Sequence, residues 1–237
     1  KYNDTNFIIS YSYGRALQQS ALKFWSKDTQ NVDGTQISGQ VAISLYNLDD
    51  DYPDTPQIVV TGSLLNSGTL TAQNSVITLS SGAAMSGGSL DILGSTVNLS
   101  DNFTKTAGTL TSDTAILKLT NSLGITSDAA IGFQEIDLGD KALTLGSQTS
   151  DLTITNPVTF NADTEQIISG DADLTLTGGL TMTQGKISTS TGSGSGTIRL
   201  GNVSTVAAGG ILDLPGSTLI LDAGLTVLGT LVTDGYS

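Results

Sequence analysis

The chain has 237 residues, room for one large domain or a large domain with a small appendage. With 9 Lys and Arg against 22 Asp and Glu, its net charge is −13, which excludes a nucleic-acid partner because too few cations exist to neutralise phosphates. It has no Cys and no His, so there is no disulfide framework and no thiolate metal site, and the commonest nucleophile and general base are missing.

Residues 1–58 form a region of their own. They hold eight aromatics, Tyr2, Phe7, Tyr11, Tyr13, Phe24, Trp25, Tyr46 and Tyr52, whereas the rest of the chain holds only Phe103, Phe133, Phe160 and Tyr236. The segment 7–13 alternates loosely and predicts a strand. Arg15 to Trp25 places Leu17, Ala21, Phe24 and Trp25 near helical spacing, which predicts a short helix, with a strand as the alternative. In 40–48, Val41, Ile43 and Leu45 recur every second residue, as in a strand with one buried face. The stretch DDDYPDTPQ, with Pro53 and Pro56, then reads as a turn-rich hinge, and the boundary falls there.

From residue 60 onward the chain repeats. Leu70, Leu90 and Leu110 are spaced by twenty, as are Leu79, Leu99 and Leu119, with Leu138 one residue early. Each block ends on two apolar residues around a polar one: Ile77 and Leu79, Val97 and Leu99, Leu117 and Leu119, Ile136 and Leu138. Between them stand Thr78, Asn98, Lys118 and Asp137. That is a strand with one face in and one out. Gly68, Gly88 and Gly108 recur just before the middle leucine, where a coil must turn a corner. Beyond 139 the period loosens. Ile154, Leu176, Leu200 and Leu221 form one series, and Phe160, Met182, Val203 and Val227 a second. The Gly/Ser-rich 189–197 reads as an inserted loop.

A fixed period with strands and glycine turns predicts stacked coils. The expected fold is all-β: a β-solenoid, or parallel β-helix, of about eight coils over 59–237, preceded by a mixed strand and helix cap over 1–58. At ~4.8 Å per coil the rod should be about 40 Å long. A β-sandwich is the alternative, but sandwiches do not repeat at a fixed length.

Residues 60–235 resemble the passenger regions of bacterial surface exoproteins of the filamentous-haemagglutinin and autotransporter kind. The resemblance rests on GTLT at 68–71 and 108–111, GGSL at 87–90, LTLTGGLTMTQGKI at 174–187 and GGILDLPGSTLILDAGLTVLGTLV at 209–232. It implies a secreted β-helix used for adhesion or as a stalk. It does not extend into 1–58.

Candidate chemistry is sparse. Asp49, Asp50, Asp51 and Asp54 put four carboxylates within six residues, a candidate set for Ca2+, which takes hard oxygen ligands. A solvated hinge is the plainer explanation, and Asp171 with Asp173 is a lesser candidate of the same type. Tyr11, Tyr13, Trp25, Tyr46 and Tyr52 could face a partner or cap the first coil. The solenoid cations Lys105, Lys118, Lys141, Lys186 and Arg199 are scattered, and Lys118 aligns with Asp137 of the next coil, an exposed ion pair. Thr-x-Thr pairs, such as Thr153 with Thr155 and Thr181 with Thr183, resemble the arrays of ice-binding faces, although Thr suits any exposed strand.

The reading at this stage is an extracellular or cell-surface structural and adhesive module, not an enzyme. Its expected partners are other copies of itself or a surface glycan or protein. No insertion into a membrane is expected, since nothing approaches the ~20 apolar residues of a span. A carbohydrate-binding or polysaccharide-cleaving β-helix is the first alternative and ice binding the second. An uncapped last coil and a loose strand at 1–13 suggest assembly by strand addition between chains.

Overall fold

The computed structural model describes residues 63–146, 149–189 and 196–233, together with the strands Ile8–Ile9, Ala42–Leu45 and Gln57–Val60. The described residues are all-β and form a parallel β-solenoid of about eight turns. Every strand pair among the described residues is parallel, and from Gln57–Val60 on each strand's partner lies one turn away in sequence. The twenty-residue blocks become successive layers, and the leucine columns are in register. Leu70 pairs with Leu90 and Leu90 with Leu110. Leu79 pairs with Leu99 and Leu99 with Leu119.

Four sheets carry the stack. A 12-stranded sheet runs the whole length, from Ile8–Ile9 to Thr230–Val232. A 5-stranded sheet from Gln57–Val60 to Glu135–Asp137 closes the first half. The second half is closed by a 5-stranded sheet, from Ile131–Phe133 to Thr218–Leu221, and a 4-stranded one, from Val158–Phe160 to Leu225–Val227. Three strands per turn therefore enclose three sides in the second half. In the first half one long strand bends around a corner instead. Within Ala83–Asp91, Ala83 and Met85 face inward but so does Leu90, a change of phase by one residue. Register shifts between Met85 and Ser89 account for it, as a bulge does. Gly88 and Gly108 have φ of +63° and +90° at this bend, as the recurrent glycines predicted.

The core is one continuous aliphatic column. Ile77, Val97, Leu117 and Ile136 lie in successive layers and are all buried, as are Leu79, Leu99, Leu119 and Leu138. One turn alone could not bury these residues, so stacking supplies the hydrophobic stabilisation. The series Ile154, Leu176, Leu200 and Leu221 is also in register. The second late series is corrected at one place. Met182 pairs with Val206, not Val203, and Val203 is 68% exposed just before the strand Ser204–Val206.

The strands expected at 7–13 and 40–48 contain Ile8–Ile9 and Ala42–Leu45. These two pair with each other, and Ile43 pairs with Leu70, so they lengthen the long sheet beyond the first full turn. The helix expected at Arg15 to Trp25 and most of the 189–197 loop lie outside the described residues.

Candidate functional surface

The carboxylates Asp49, Asp50, Asp51 and Asp54 lie outside the described residues, as do Tyr11, Tyr13, Trp25, Tyr46 and Tyr52. Asp171 and Asp173 are described. The Asp173 carboxylate accepts a hydrogen bond from the Thr197 amide at 2.6 Å, one turn on, and its own amide donates to Asp151 Oδ1 at 2.9 Å. That carboxylate ladder holds turns together. Among the described residues no three His, Cys, Asp or Glu side chains converge as a metal site would require.

The scattered cations acquire a pattern in three dimensions. Lys105 pairs with Asp128, Lys118 with Asp137 at 3.5 Å, Lys186 with Asp213 at 2.7 Å and Arg199 with Asp222 at 2.7 Å. In every case the cation reaches an aspartate of the following turn. Lys118 and Asp137 are the exposed cross-strand pair that the repeat alignment predicted. Arg199 donates to both oxygens of Asp222, through Nε and Nη2, a fork that matches a carboxylate. That hydrogen bond, and then the charge of Asp222, raise the Arg199 pKa above its ordinary value.

Lys105 was unexpected. It occupies the inward register of its strand, between Met85 and Ser127 of adjacent layers, and is only 5% exposed. Its aliphatic stem packs inside while the ammonium reaches out to Asp128. The sequence did hold a signal for this: in the repeat Lys105 aligns with Met85, which is buried.

The threonines also regroup. The pairs read along each strand matter less than a rank formed across turns. Thr159, Thr181, Thr205 and Thr226 are partners in successive layers of the 4-stranded sheet. They point outward between buried neighbours such as Phe160 and Met182. The register is unbroken over the four layers. Over 152–162 and 174–184 no residue is charged, and over 198–212 and 219–233 only the mutually paired Arg199 and Asp222 are.

Comparison with protein-family models, curated proteins and solved structures returned no match. A pocket of about 40 Å³ is lined by Ile58, Leu70, Leu90, Phe103 and Leu110 among other apolar residues.

The last turn is the other notable surface. Leu221 and Leu231 hold the same inward register as Leu200 and Leu212 one layer earlier. Yet Leu200 and Leu212 are 1% and 0% exposed, while Leu221 and Leu231 are 44% and 39% exposed. Among the described residues no further layer covers their interior faces.

Proposed function

We propose that the chain is a structural and adhesive module of an extracellular surface, a stiff spacer that presents long faces to a surface glycan or protein. The observation that carries this reading is the placement of charge. Four of the five solenoid cations bridge successive turns instead of converging on a groove. Those four side chains and their aspartates brace the stack. The resemblance to secreted surface exoproteins points the same way. The test is to probe the purified chain against a glycan array and intact cells while monitoring sugar release from a polysaccharide panel. Binding without product is expected. New reducing or unsaturated ends would sink the reading and favour the polysaccharide-cleaving alternative.

A second reading, binding to ice, is favoured by the rank Thr159, Thr181, Thr205 and Thr226. Methyl and hydroxyl groups repeat there at the strand spacing of ~4.8 Å, on a surface without unpaired charge. The described aromatics Phe103, Phe133 and Phe160 are all buried, so this face has no ring to stack on a sugar. Thermal hysteresis that disappears in Thr181→Tyr and Thr205→Tyr variants is expected on this reading. Freezing behaviour indistinguishable from an inert protein would dismiss it.

A further inference from the structure

We infer that Lys105 and Asp128 are the site of a self-made covalent cross-link: an amide between Lys105 Nζ and Asp128 Cγ that ties one turn of the solenoid to the next. The ion pair is the state in which the chain folds, and the bond forms from it. The proposal is independent of the adhesive role.

Burial singles this pair out. The side chains of Lys118, Lys186 and Arg199 are 45%, 33% and 48% exposed, and that of Lys105 is 5% exposed. Lys105 alone of the four reaches its aspartate from the inward register, between Met85 and Ser127. A stem packed in this way leaves the amine few other positions to visit. The Asp128 amide donates to the Lys105 carbonyl at 3.0 Å, so the two residues are also joined through their main chains. At the tips, Lys105 Nζ contacts Asp128 Oδ1. Both reacting groups are thus anchored at one end and meet at the other.

An amine and a carboxyl group held in contact are the two reactants of an amide. In bulk water hydration protects their charged forms. Here water reaches chiefly one partner, the 40% exposed Asp128, and a buried ion carries a desolvation cost that a neutral group does not. Transfer of one proton from the ammonium to the carboxylate gives a neutral amine and a neutral acid. The nitrogen lone pair attacks Cγ and the Nζ–Cγ bond forms. The bond from Cγ to the hydroxyl then breaks, and that hydroxyl leaves with a proton from nitrogen as one water. Nothing is oxidised or reduced, and no further reactant is consumed. Holding the groups together replaces an encounter in solution, an advantage equivalent to an effective concentration of ~10⁵ M or more. The exposed side of Asp128 gives the released water a way out.

The same chemistry does not extend to the other bridges. Lys118 and Asp137 stand 3.5 Å apart with nearly half of each side chain in solvent. Lys186 is one-third exposed, and Arg199 carries a guanidinium, which stays protonated. One cross-link is therefore expected. It joins residues 23 apart and closes a covalent ring around a single turn. A turn closed in this way cannot unwind when its neighbours do.

Intact-mass measurement of the denatured chain, with mass spectrometry of its tryptic peptides, tests the proposal. The expected mass is one water below that of the sequence. Trypsin should no longer cut after Lys105, so that 119–141, which contains Asp128, travels joined to the peptide that contains Lys105. Lys105→Arg keeps the positive charge but offers no amine, and it should show its full sequence mass. A cyclic imide formed at an aspartate would also remove one water, but it would leave cleavage after Lys105 intact. The full sequence mass in the unmodified chain overturns the proposal, as does a dehydrated chain that is still cut after Lys105. So does the same loss of water in Lys105→Arg. If that variant does not fold, the digest of the unmodified chain decides alone.

Discussion

Gly88 shows how little freedom the corner of a turn leaves. A Cβ built there would lie 1.8 Å from the carbonyl oxygen of Gly68 and would sit on a backbone with φ of +63°. Neither conflict can be relieved by a side-chain rotation, because the obstructing atom is backbone. Gly88→Val should cost at least ~2 kcal/mol through strain and steric overlap, read as a lower urea midpoint by circular dichroism. Leu117, 1% exposed and stacked between Val97 and Ile136, tests the column itself. Leu117→Ala should cost about 2–5 kcal/mol, since it removes apolar contacts and leaves a void with layers above and below. Both residues were legible in the sequence, since corner glycines and alternating leucines recur at a constant interval. Lys105 was not. Composition makes a lysine look exposed, and only its alignment with Met85 reveals that its stem points inward.

At the scale of a strand pair, the two lysine bridges in the first half of the rod contrast. Lys118 and Asp137 are 45% and 48% exposed, so water screens them. Lys118→Ala should change stability by no more than ~0.5 kcal/mol. Lys105 is 5% exposed and Asp128 40%. Asp128→Ala would leave a largely buried ammonium without its carboxylate, at a cost of ~3 kcal/mol. Parallel denaturation of the two variants checks the difference, and equal effects would contradict the burial assigned to Lys105. The same scale explains where the sequence became hard to read. Through Leu138 the turns have nearly constant length, so counting by twenty pairs Leu70 with Leu90 and Leu79 with Leu99, although Phe103 pairs with Ile125, two residues beyond the count. Later turns vary, and counting from Met182 reached Val203 instead of Val206. The remedy was present: Phe160, Met182, Val206 and Val227 are spaced 22, 24 and 21 apart, the same intervals as Ile154, Leu176, Leu200 and Leu221. The threonine rank was hidden for the same reason. It exists only across turns, and its members cannot be matched until each turn's length is known.

Over the whole molecule, each layer touches only the layers beside it, so stability is a sum of neighbouring interfaces and not the property of a single centre. Each middle layer is held from both sides. Parallel pairing between successive turns has a mechanical consequence. A load applied along the axis does not shear long strands past one another; it unwinds the chain from an end, one turn after the next. A turn of twenty residues adds about 4.8 Å to the folded rod but spans roughly 66–72 Å once drawn straight. Single-molecule stretching should therefore record a train of small, similar steps at modest force, not one large rupture. A tether built this way yields gradually under tension and can rewind from the turns that remain.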